Sequence, residues 1–222
     1  MSDFLIEKPI PYYEQFYHSI KKMIFDGTYK PGERIVETQL AKQFGVSKSP
    51  VREAIRLLEK EGLVVVDDRS RVIVYEPTIK DVEDIYFCRM ALESFAVNLM
   101  VKTASDQEIE EIEKTLDETE KAILNVKEPA AIIALNGQFH RLIVQFTQNK
   151  RLQKQVDDLK SLTQFYRILN FQKQNRAEII LQEHRGIFTH IKKRDEEKAS
   201  QEMIAHLKQD LVHLKNILQK RT

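Results

Sequence analysis

The chain has 222 residues, 42% of them hydrophobic and 31% charged, with a formal net charge of +1. That length can bury one or two cores. The balanced charge excludes a polycation, so any nucleic-acid surface must be local, and the single cysteine, Cys88, excludes an intrachain disulfide and a cysteine-based zinc cluster. Trp is absent, Gly and Pro number only six each, and abundant Glu, Lys, Leu, Ile and Gln favour helix. No apolar run has the length of a membrane span. The opening "MSDFLIEKPIPYYEQ" has no basic region, apolar core or cleavage site, so the expectation is no signal peptide, no membrane partner and a reducing cytoplasm.

The breakers divide the chain. Pro9, Pro11, Pro31, Pro50 and Pro77 precede a single later proline, Pro129, and Gly27, Gly32, Gly45 and Gly62 crowd the same first part. Short elements with defined turns are therefore expected over 1–76, and long helices over 77–222. Phe16, Ile20, Met23 and Ile24 recur at a helical period, with Gly27 as C-terminal cap. "VETQLAKQFG" is a short helix with Val36, Leu40 and Phe44 on one face, stopped by Gly45. Ser47 is the expected N-cap of the next helix, stapled by Val46 and Val51, with Pro50 tolerated in the first turn. Val51, Ile55, Leu58 and Leu63 then face inward. "GLVVVDD" and "RVIVYEP" flank "DDRS" as a β-hairpin.

The helix beginning "VSKSPVREAIRLLEKEG" carries chemistry on its other edge. Free N–H groups and the positive dipole end at Ser47, Lys48 and Ser49 suit phosphate. Lys48, Arg52 and Arg56 follow at four-residue spacing on one stripe. Lys42 to Arg56 holds four cations and one anion, a local charge of +3. A basic stripe alone describes many solvated helix faces; the glycine turn before it and the hairpin after it together describe a winged helix-turn-helix.

The segment from Ile24 to Val64 resembles the N-terminal domain of the GntR family of bacterial transcription regulators. The matching pieces are G-x-x-x-P-G-E-R-I from Gly27, L-A from Leu40, G-V-S-K-S-P-V-R-E-A-I from Gly45 and L-x-x-E-G-L-V from Leu58. The resemblance implies that Arg34, Lys48, Ser49 and Arg52 contact a double-stranded DNA operator. The wing departs from the family pattern, with "DDRSR" where relatives place Gly at the tip. Asp67 and Asp68 would repel phosphate unless they point away or pair with Arg69 or Arg71, so one of these arginines is expected to make a DNA-backbone contact instead of minor-groove insertion.

Six helical stretches follow, at roughly 78–102, 105–126, 129–147, 149–171, 174–193 and 195–219, with Thr78 and Ser105 as N-caps and "SDQE" as a capping box. The short breaks "KEPA" and "QNK" suit an antiparallel bundle. The fold class is thus mainly α, a winged helix-turn-helix of three helices and a hairpin followed by an all-helical bundle of about six helices. Asn136 and His140 share a face of one helix, and His184 and His206 lie on two others. Three helices could converge them, and neutral imidazoles suit zinc, nickel or iron(II). Each histidine taken alone fits a surface or hydrogen-bonded core role better than a ligand's. His213 shares a face with His206 and is an alternative to it; His190 and His18 read as structural.

This half resembles the FCD subfamily, on "NGQFHRLI", "EHRGIFTHI", "MIAHL" and the R-x-x-x-E of "RMALE". The resemblance implies a divalent transition metal, zinc or nickel, on Asn136, His140, His184 and His206. Asn136 stands where the subfamily has Asp, so weaker binding, another metal or a water in that place is expected. Arg89 either meets a small carboxylate effector, by bidentate hydrogen bonds, or pairs with Glu93 along its own helix. The implied protein is a homodimeric regulator whose effector changes operator binding. A regulator signalled by the metal alone is the alternative. A metalloenzyme is disfavoured, because no H-E-x-x-H or comparable base-bearing motif is present.

Overall fold

The computed structural model describes residues 10–171 and 175–220. The chain divides into two compact units between Glu76 and Pro77.

The first unit runs α1 (Tyr12–Phe25), β1 (Arg34–Ile35), α2 (Glu37–Gln43), α3 (Lys48–Lys60), β2 (Val64–Val66) and β3 (Val72–Val74). One apolar face of each helix enters a common core: Phe16, Ile20 and Ile24 from α1, Leu40 and Ala41 from α2, Val51, Ala54, Ile55 and Leu58 from α3. The antiparallel hairpin β2–β3 adds Val64, Val72 and Val74. Phe44, placed by its spacing on the inner face of α2, is 40% exposed. It is the C-cap residue of α2 and rests its ring against Phe16, 5.1 Å between centroids. Sequence reading missed β1. Arg34 and Ile35 pair antiparallel with Ile73 and Val72 of β3, giving the order β1-β3-β2. Burial of Ile35 in that pairing explains why this short segment is extended.

Turn geometry sets the angle between α2 and α3. Gly45 has φ +66°; its N–H donates to Lys42 O at 3.2 Å and that of Val46 to Ala41 O at 3.0 Å, the paired bonds of a Schellman cap. A Cβ on Gly45 would meet nothing within 4 Å, so the backbone angle, not space, calls for glycine here. Ser47 takes the N-cap backbone position with φ −69° and ψ 163°, but its side chain makes no capping bond. The reason is local: the third helical residue is Pro50, which has no N–H to give.

The second unit has seven helices among the described residues: α4 (Ile79–Thr103), α5 (Asp106–Leu124), α6 (Pro129–Phe146), α7 (Lys150–Asp158), α8 (Lys160–Asn170), α9 (Arg176–Lys192) and α10 (Glu196–Gln219). Thr78 with Asp81 and Ser105 with Glu108 form complete capping boxes. The stretch expected as one helix over 149–171 is two, meeting at Leu159 with φ −94° and ψ −6°. No Pro or Gly marks that break. The helix start expected at 174 lies outside the described residues.

α10 lies antiparallel along α4, joined by Ser200 Oγ to Ser94 O at 3.1 Å, Asn98 Nδ2 to Glu196 O at 3.4 Å and an ion pair of Lys215 with Glu83. α9 is tied antiparallel to α5 by Arg185 with Asp117 and Glu120, and by Lys192 with Glu113. The buried stripe of α4 starts and ends apolar, at Val82 and Met100, but its middle is Tyr86, Arg89 and Glu93. No helix among the described residues is long and apolar enough to cross a membrane.

Gly45→Ala forces a Cβ into a left-handed turn and should lower stability by about 1–2 kcal/mol. Gly186→Ala, inside α9 where the nearest atom to a new Cβ is Glu202 Oε2 at 4.0 Å, should leave stability unchanged or raise it by up to about 1 kcal/mol. Paired thermal melts of the full chain check both.

Candidate nucleic-acid interface and metal centre

On the first unit, Ser47, Lys48, Ser49, Arg52 and Arg56 are all exposed along α3, and Arg34 is exposed on β1. The apolar face of α3 is consumed by the core, so this edge is what the helix offers to solvent. Arg52 is not wholly free: Nε and a terminal nitrogen donate to Glu37 Oε2 on α2 at 3.4 and 3.3 Å.

The wing tip has a definite internal structure. Asp67 Oδ1 accepts from the backbone N–H groups of Arg69 and Arg71 at 3.0 and 2.9 Å, and Oδ2 accepts from Arg71 Nε at 2.7 Å. Hydrogen bonds from Arg71 hold the Asp67 carboxyl below its usual range. Ser70, with φ +57°, occupies the left-handed position that favours Gly. Asp67 therefore organises the tip and neutralises Arg71. Arg69 and Asp68 remain exposed.

In the second unit, His140 of α6, His184 of α9 and His206 of α10 are buried together, each offering one nitrogen within 4.8 Å of the others. His184 Nε2 lies 3.3 Å from His206 Nε2. Phe139 stacks on the His184 ring at 4.0 Å and forms one wall. Carboxylates orient two of the rings. His140 Nδ1 is 2.6 Å from Glu93 Oε2, and His206 Nδ1 is 2.6 Å from Glu183 Oε2. An ionised carboxylate only accepts, so each Nδ1 donates and each Nε2 keeps its lone pair for the centre.

The surrounding charges keep that arrangement. Burial opposes ionisation of Glu93, but Arg89 and His140 outweigh it and hold the carboxyl well below its usual value. Burial, aided by Arg167 and Arg89, pushes His140 down to about 3 against the pull of Glu93. Burial and the neighbouring His206 and His140 push His184 well down. Both imidazoles are therefore neutral, the form that ligates metals.

This donor set fits a divalent transition metal. Two nitrogens each about 2.0–2.1 Å from one tetrahedral ion would lie roughly 3.3–3.4 Å apart, close to the His184–His206 spacing. Asn136 is buried one turn before His140 on α6. His213 and His190 are outside the cluster, and His18 is exposed on α1, edge-on to Tyr17.

Of the two alternatives for Arg89, the pairing with Glu93 along its own helix is present. Nε donates to Glu93 Oε1 at 2.7 Å, while both terminal nitrogens are buried with no hydrogen-bond partner among the described residues. The guanidinium sits over the Tyr86 ring at 4.8 Å. Tyr86 Oη is buried and likewise unpartnered, and burial holds its phenol protonated by raising its pKa.

Five residues near this centre escaped sequence reading as parts of it. Glu93 was seen only as the Arg89 partner, and nothing in the sequence singled out Glu183. Asp210 is buried with Oδ2 3.9 Å from His206 Nε2; its four-residue spacing from His206 was a usable signal. Burial opposes the ionisation of Asp210, but His206 and Arg176 outweigh it and lower its pKa. Arg176 pairs with both Asp210 and Glu183. Arg167 of α8 lies against α6, with a terminal nitrogen 3.2 Å from where a Cβ on Gly137 would be, and burial and Arg89 push it down to about 10. No spacing rule in the sequence points to Arg167.

A winged helix-turn-helix carried in one chain with an all-helical unit is the build of a DNA-binding transcription regulator. Residues 12–74 match the family described as bacterial regulatory proteins, gntR family, and residues 84–209 match the FCD domain. An HTH-type transcriptional regulator of Bacillus subtilis (strain 168), YdhC, is 52% identical over 219 residues, 99% of this chain and 98% of its own. The HTH-type transcriptional repressor RspR of Escherichia coli (strain K12) is 24% identical over 96% of this chain and 92% of its own. Among solved structures, E. coli McbR/YncC has a TM-score of 0.76 at 22% identity, covering 96% of this chain and 100% of that one, a likeness of fold. The chain belongs to the GntR family of bacterial regulatory proteins, with an FCD domain as its second unit. Its family and relatives are transcription regulators, not enzymes.

Glu93→Ala strips the counter-charge from buried Arg89 and the anchor from His140, and should destabilise the second unit by about 3–5 kcal/mol. Urea unfolding of wild type and variant checks it; a loss below about 1 kcal/mol would refute the role given to Glu93.

Proposed function

We propose that this regulator binds its operator through the exposed edge of α3 and senses a small carboxylate at the buried histidine centre. The observation that carries the sensing half is the convergence of three histidine nitrogens beside the unpartnered terminal nitrogens of Arg89. His140, His184 and His206 would hold a divalent transition metal, zinc or nickel, with Asn136 as a neutral fourth group. A bound metal would supply Lewis acidity, an anchor for a carboxylate oxygen. Arg89 would grip the carboxylate by its two free nitrogens, and Glu93 and Glu183 would keep the imidazoles aimed. Those free nitrogens favour an acid as the signal over metal occupancy alone, because a centre built only for a metal has no use for them.

On DNA, Lys48, Ser49 and the first turn of α3 meet phosphate, while Arg52, buttressed by Glu37, and Arg56 lie along the groove. Arg34 and Arg69 approach the flanking backbone; Arg71 contributes by shaping the wing through Asp67. Two copies are required to meet a two-fold operator. The protein acts in the cytoplasm, where the operator is.

Lys48→Ala should weaken binding to operator and random DNA alike and flatten the salt dependence by about one unit of log–log slope. Arg52→Ala should cost about 1–3 kcal/mol on operator and less on random DNA. Titrations at several salt concentrations separate the two, and equal losses on both DNAs for Arg52→Ala would remove it from sequence reading. For the metal, His140→Ala with His184→Ala should abolish the content of a wild-type preparation measured by mass spectrometry, and Asn136→Asp should raise metal affinity. Operator titration with metal alone, then with metal and acid, decides which is the signal.

A further inference from the structure

The charged groups around the histidine centre of the second unit are not all satisfied by pairs. Arg176 is committed to Glu183 and Asp210. Arg89 shares Glu93 with His140 and leaves two nitrogens over. Arg167 has no ion-pair partner among the described residues, and its buried Nε has no hydrogen-bond partner among them either. Its guanidinium is held against α6 at Gly137, between Asn136 and His140 in the chain, where a side chain of any size would meet it at 3.2 Å. Arg167 as a whole is only half-buried, but a guanidinium nitrogen kept from water without an acceptor is costly. Unsatisfied guanidinium nitrogens from α4 (Arg89, already paired with Glu93) and α8 (Arg167) border the same histidine centre, together with the unpartnered hydroxyl of Tyr86.

One carboxylate satisfies the fork of Arg89. It leaves Arg167 uncompensated. A molecule with two anionic ends answers both, one end on the spare nitrogens of Arg89 and the other on Arg167. We propose that Arg167 is a second anion-binding residue of this centre, and that the acid it recognises is a dicarboxylate rather than a monocarboxylate. The inference rests on the carboxylate-sensing reading above and narrows it. Tyr86 Oη is then available to a hydroxyl or carboxylate oxygen between the two ends.

The test uses the full-length, metal-loaded protein and titration calorimetry with matched pairs of acids: malonate and propionate, succinate and butyrate, glutarate and valerate. At least one dicarboxylate should bind ten times or more tighter than the monoacid of its length. Arg167→Met should bring that dicarboxylate to the level of its monoacid while moving the monoacid less than about twofold; Arg167→Lys, which keeps the charge, should retain part of the preference. Equal binding of both members of every pair, or an equal loss of both on Arg167→Met, overturns the proposal and leaves carboxylate sensing standing. Binding of no acid by wild type overturns both. The wild-type comparison stands if Arg167→Met does not fold.

Discussion

Glu93 is a carboxylate with almost no exposure, in the middle of a helix that is apolar at both ends of its buried face. Its two oxygens are divided between Arg89 Nε and His140 Nδ1. The arrangement of the second unit's centre follows from that division. The Arg89 contact makes a buried positive charge tolerable and directs the rest of the guanidinium elsewhere. The His140 contact selects the tautomer, and so decides which nitrogen faces the other two histidines. Glu183 repeats the second task for His206, with Arg176 and Asp210 completing the charges around it.

Legibility of the fold followed the strength of the local signals. The N-cap at Thr78, the capping box at Ser105, glycine turns at Gly27 and Gly45, and the β-branched runs of the wing all act within a few residues, and each was readable. The break at Leu159 carries no breaker residue, so a continuous helical period concealed it. β1 is only two residues long and exists because Ile35 is buried against β3, a partner nearly forty positions away. Ser47 was read correctly as a helix start and wrongly as a side-chain cap, because Pro50 removes the N–H that the cap would use.

The centre was legible in outline for a similar reason. Histidines are scarce enough in this chain to count, and four-residue spacing put Asn136 and His140 on one face. The carboxylates that aim the rings come from other helices or from a turn further on, and a chain with 34 acids gives no reason to choose Glu93, Glu183 or Asp210 over the rest. Arg167 is the extreme case: its significance lies in the space left by Gly137 on a neighbouring helix, which no pattern along the chain encodes.

The Asp67–Arg71 clasp bears on how such a protein finds its site. A regulator shares the cell with millions of incorrect sequences, and what holds it on them is mainly attraction between its cations and the phosphate backbone. A wing in which one of two arginines, Arg71, is already answered by its own aspartate withholds one charge from that indiscriminate pull. Where such a wing lies on DNA, time spent trapped on irrelevant sequence would fall, and a larger share of the binding free energy would come from groups that distinguish one base pair from another. An acidic wing tip thus trades total grip for faster release from the wrong address.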